Sequence, residues 1–151
     1  MVVKKKVGGQ KIFHEIVDPI MPKFKLKDIL QVIIGASILA VPIGFTEETW
    51  ELGGTLPLIN ILGLLVLSLF FISMFTYHQY HRHSSGSSKE HMNVFVKRVV
   101  ATYILSFIVV AVIMTLIQKA PWGADGLLAF KRVAIVTFPS SLSAAIADTL
   151  K

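Results

Sequence analysis

Residues 28–54, DILQVIIGASILAVPIGFTEETWELGG, decide the fold. From Ile29 to Phe45 the run is apolar apart from Gln31 and small residues, long enough to cross a bilayer core as a helix. Ala36, Ala40 and Gly44 recur every fourth residue, with Gly35 alongside, and such a stripe lets another helix approach closely. Pro42 removes a backbone hydrogen bond and predicts a bend about one turn before the end. The run then meets Glu47, Glu48 and Glu51, with Trp50 among them. Carboxylates so close to the end of an apolar run are costly unless they have partners or a purpose.

Outward from this stretch the pattern repeats. The chain has 151 residues, 54% of them hydrophobic and only 16% charged, against about 25% charged in a soluble domain. The deficit is concentrated in long segments. The reading is an all-α, polytopic transmembrane helical bundle with about four spans, near 28–46, 55–77, 99–117 and 130–149. Pro57 suits the first turn of the second span. Trp122 anchors the end of the third at the interface. The fourth span is the most polar, with Lys131 and Arg132 near its start, Pro139 in its middle, Asp148 near its end and Ser140, Ser141, Ser143, Ala144, Ala145 and Ala147 between the last two. It is read as a helix packed inside the bundle, bent like the first by its proline. Spans one and four are expected to form the core, with two and three facing lipid.

Residues 1–27 are basic, with seven lysines, and Lys11–Met21 carries apolar residues at helical spacing. That predicts a short amphipathic helix in the interface plane. The segment lacks the short apolar region and small-residue cleavage site of a signal peptide. Arg82, Lys89, Lys97 and Arg98 lie between spans two and three, on the same side as the lysines. The excess of bases puts the protein in the cell membrane with both termini cytoplasmic and the acid cluster outward. The net charge of +6 then meets anionic lipid rather than nucleic acid, since no nucleic-acid motif accompanies it. There are no cysteines, so disulfides and thiolate metal sites are excluded.

Three runs, ILAVPIGFTEETWELGG (38–54), FVKRVVATY (95–103) and KRVAIVTFPSSLSAAIAD (131–148), resemble a family of prokaryotic integral membrane proteins of unknown function. The resemblance covers most of the chain from about residue 28. It implies membrane location and no particular activity. Longer members have more spans, so this chain looks like a short version that oligomerises to complete what longer chains build alone.

Three groups of residues are candidate sites. Glu47, Glu48 and Glu51 sit at helical spacing and, gathered from several subunits, would ring an outer mouth and attract an inorganic cation. Ser37, Thr46, Ser140, Ser141 and Asp148 are the candidates to line a path. The competing reading is structural: Lys131 and Arg132 fall at the depth of the acids and pair with Glu47 or Glu48 across the helices. His78, His81 and His83 have a spacing that suits zinc or nickel, although a solvated loop explains them as well. No catalytic motif is present, so an enzyme is not expected, nor any cofactor beyond a bound cation. Two functions follow: a cation channel or permease, or a non-transporting scaffold or subunit of a larger membrane assembly. Both are expected to be homo-oligomers among membrane lipids.

Overall fold

A computed structural model describes residues 25–81 and 88–150, with the side chains of 80–81 and 88–91 left aside. The amphipathic helix expected at Lys11–Met21, and the side chains of His81 and His83, lie outside the described residues. Among the described residues five helices follow one another: α1 (Leu26–Gly44), α2 (Glu47–Thr55), α3 (Leu58–His81), α4 (Ser88–Leu116) and α5 (Gly126–Thr149). Four of them are long and apolar enough to cross a membrane: α1, α3 over 58–79, α4 over 92–116, and α5. The protein is an all-α bundle, as the sequence indicates.

The helix ends follow local chemistry. Lys25 is the cap residue of α1 and Asp28 is the third helical residue, its carboxylate accepting the Lys25 N–H at 3.2 Å. A carboxylate there answers an unpaired N–H at the positive end of the helix. At the other end the chain leaves the helix after Gly44 and restarts as α2. The carbonyls released there are satisfied from α2 itself: the Thr46 hydroxyl donates to Ile43 O at 2.8 Å and the Trp50 indole N–H to Gly44 O at 2.8 Å. Asp125 caps α5 by accepting Leu128 N–H at 3.0 Å. Pro42 and Pro139 lie inside α1 and α5.

Helix α5 is the axis of the bundle. It touches α1, α2, α3 and α4, while α1 and α3 do not touch each other. Its broadest contact is with α1, along the small-residue stripe: Val32, Ala36 and Ala144 form one buried cluster, and Gly35 lies so close to α5 that a Cβ there would stand 2.5 Å from Ala147 Cβ. The division into two core and two lipid-facing spans is only half met. Within its span α5 is 44% buried and α3 17%, but α4 at 33% exceeds α1 at 28%. The reason is that α1 spends its small face on α5 and turns Leu30, Ile34, Ile38 and Phe45 outward. On α4 a ridge at every fourth residue, from Val96 through Ile104 to Leu116, is likewise exposed. Bulky side chains on an outer surface with this regularity are what hydrocarbon contact requires.

Candidate functional site

Three elements converge where α1 ends, and each side chain there answers a backbone group. Helix α2 lies across the end of α5. Gly53 makes this approach feasible, since a Cβ there would stand 2.4 Å from Arg132 Cγ. The Arg132 guanidinium donates from Nε to Trp50 O at 3.1 Å and from Nη1 to Lys119 O at 2.9 Å. Lys131 Nζ donates to Leu56 O at 2.9 Å. Lys119 Nζ stands 3.8 Å from the centroid of the Trp50 ring, a cation–π contact. Trp50 is thus held through indole N–H, carbonyl and ring face at once.

The expected pairing of Lys131 and Arg132 with Glu47 or Glu48 is not made. Neither cation forms a salt bridge to a carboxylate among the described residues. Both are spent on carbonyls of α2, of Leu56 just past its end and of Lys119 just past the end of α4, where the negative end of a helix draws positive charge. Glu47, Glu48 and Glu51 are exposed on α2. Glu47 and Glu48 occupy its first turn, where carboxylates favour the helix itself.

The hydroxyls expected along a path each bond a backbone carbonyl, and Thr46 is exposed. Ser140 and Ser141 are fully buried, donating to Val136 O at 2.7 Å and Phe138 O at 3.0 Å of their own helix. Ser37 donates to Ile33 O at 2.8 Å, and Thr46 faces Thr49 at 2.8 Å besides its bond to Ile43 O. His78 is exposed near the end of α3, and no group of three metal-ligating side chains occurs among the described residues.

The opposite end of the bundle holds the ionic contact. Asp148 of α5 is paired with Arg98 of α4, whose Nε and Nη2 both reach Asp148 Oδ2, at 2.9 and 2.6 Å. The pair is largely buried, with side-chain exposures of 18% for Arg98 and 6% for Asp148. Gln31 of α1 donates to Leu150 O at 3.2 Å and Gln79 of α3 to Thr149 O at 3.4 Å. The last turn of α5 is therefore grasped by one polar side chain from each of the three surrounding spans. Asp148, expected on a path, is paired with Arg98 at this end of α5. The signal for this pair in the sequence is that Arg98 opens, and Asp148 closes, a long uncharged run.

A membrane-length bundle of this sequence can be placed by comparison. A family defined as an integral membrane protein of unknown activity matches residues 10–149. The chain belongs to the DUF2391 family of putative integral membrane proteins. The four apolar helices fit that description of DUF2391. No curated protein and no solved structure matches the chain.

Proposed function

We propose that the chain is a non-transporting membrane scaffold or subunit of a larger assembly, not an enzyme. The observation that carries this reading is the use made of the polar groups inside the bundle. Ser140, Ser141, Thr137 and Ser106 are buried and bonded to carbonyls of their own helices, and Arg98, Asp148, Arg132 and Lys131 join one element to another. Such groups hold helices together where hydrocarbon gives no hydrophobic drive for association. The exposed ridges of α1, α3 and α4 serve lipid, and the open side of α5 between α1 and α3 is where a further copy or partner would complete the bundle. The lysines of residues 4–27 and the bases at 97 and 98 support placing both termini in the cytoplasm of a cell-membrane protein.

One observation favours a second reading, a cation channel built from several copies. Glu47, Glu48 and Glu51 are exposed and joined to no base by a salt bridge among the described residues, so they are available to concentrate cations at a mouth. Ion flux from liposomes holding the purified protein, wild type beside Glu48→Gln, with sodium, potassium and calcium in turn, separates the two. The scaffold reading expects no flux for any ion from a folded oligomer. Flux that falls or changes selectivity in the variant overturns it and makes the acid cluster a mouth.

A further inference from the structure

The grasped end of α5 holds two oxygens that its own side chains do not satisfy. Both Arg98 donors converge on Asp148 Oδ2, rather than one on each oxygen, and Asp148 Oδ1 is buried with no hydrogen-bond partner. Gln31 must direct Nε2 at Leu150 O, so its Oε1 is fixed as an acceptor, and that atom is also buried with no partner. The two residues face the same turn. Gln31 reaches α5 two residues beyond Asp148, and one turn along α1 Gly35 lies against Ala147. A buried acceptor without a donor is destabilising, and more so when it is charged.

We propose that this junction binds a monovalent cation of sodium size, with Asp148 Oδ1 and Gln31 Oε1 as ligands. Both are hard oxygens that accept and cannot donate, which is what an alkali cation requires and a thiophilic metal does not. The carbonyl end of α5 adds the partial negative charge that favours a cation there, an arrangement of helix end and side chain that membrane proteins use for sodium. A single free carboxylate oxygen with one amide oxygen is a poor site for calcium, which takes 6–8 oxygens and several carboxylates.

The test is equilibrium binding of radiolabelled sodium to the purified full chain in detergent, comparing wild type with Gln31→Leu and Gln79→Leu. Each variant removes one amide donor from the last turn of α5, but only Gln31→Leu removes a proposed ligand. Saturable binding by wild type, weakened at least tenfold in Gln31→Leu and unchanged in Gln79→Leu, is the expected result. Asp148→Asn should abolish binding where it folds, and Gln31→Leu decides the matter where it does not. No saturable binding by wild type would overturn the proposal, leaving a buried water to donate to both oxygens. Equal loss in the two glutamine variants would also overturn it, since the effect would then belong to the helix end. Displacement of the label by calcium more readily than by sodium would overturn the choice of ion.

Discussion

Two glycines inside membrane helices should respond in opposite senses to alanine. At Gly35 of α1 an added Cβ would lie 2.5 Å from Ala147 Cβ, 2.9 Å from Ala144 Cα and 3.0 Å from Ser143 O. At Gly63 of α3 it would meet nothing within 4 Å. Carbon atoms pack at about 3.5–4.0 Å, so Gly35→Ala requires α1 and α5 to part by roughly 1 Å. Two of the three opposing atoms are backbone, so no side chain can swing aside. A gap of that size forfeits up to about half of each contact's attraction along the seam of Val32, Ala36 and Ala144. Overpacking of this kind costs about 1–3 kcal/mol, offset by at most ~1 kcal/mol from the better helix propensity of alanine. Gly63→Ala has only the gain. The two variants should differ by about 1–3 kcal/mol, which at ~2–4 °C per kcal/mol for a chain of this size is roughly 3–10 °C. Thermal unfolding of both purified proteins in one detergent, followed by circular dichroism and by loss of the monodisperse peak, measures it. If Gly35→Ala melts at or above Gly63→Ala, the close approach of α1 to α5 is not the seam that holds the bundle.

Three further outcomes follow from the same geometry. Gln118 ends α4 at φ 60 with the Lys119 N–H reaching back to Met114 O at 2.9 Å, a left-handed turn that suits glycine, so Gln118→Gly should raise the melting temperature by the equivalent of about 1 kcal/mol. Asp148→Asn should cost about 2–4 kcal/mol in chemical denaturation, because the carboxylate is withdrawn from a largely buried guanidinium, and the double variant Arg98→Met with Asp148→Leu should recover at least half of that. Glu48→Gln should leave the melting temperature within about 0.5 kcal/mol of wild type, whereas Arg132→Leu, which removes donors to Trp50 O and Lys119 O, should lower it measurably in the same assay.

The spans were legible because their signal is length and the absence of charge, and both survive any arrangement of neighbours. The small stripe of α1 and the inward position of α5 were legible for a related reason: alanine, glycine and serine have no use on a lipid surface. What was not legible is direction. Lys131 and Arg132 carry no mark in the sequence that says whether they turn to a carboxylate or to a carbonyl. The choice was made by the break after Gly44, which the run of apolar residues through Phe45 conceals. Once α2 restarts as a separate helix, its carbonyl at Trp50 and that of Leu56 just past its end come within reach of α5, and the acids on its exposed face do not. In the same way, the bond from Gln31 to Leu150 O spans 119 residues, and no local pattern announces a contact of that range.

The least apolar span is the most buried, and this inversion says how the bundle is specified. Helix α5 has the lowest mean hydropathy of the four, yet it alone touches every other described helix. In water a central helix is the most apolar one. In a bilayer the outer surface must be apolar, so polarity is tolerated only where protein surrounds it. The polar residues of α5 are placed accordingly: Lys131 and Arg132 at one end, Asp148 at the other, and hydroxyls bonded to the helix itself between them. Each end is tied to a different set of partners, α2 with the α2–α3 and α4–α5 connections at the first, α1, α3 and α4 at the second. Sliding α5 by one turn against α1 would break both sets at once and drive Gly35 away from Ala147. The register of the central helix is therefore fixed by its few charged residues, and the apolar residues around it hold it in the membrane without choosing that register.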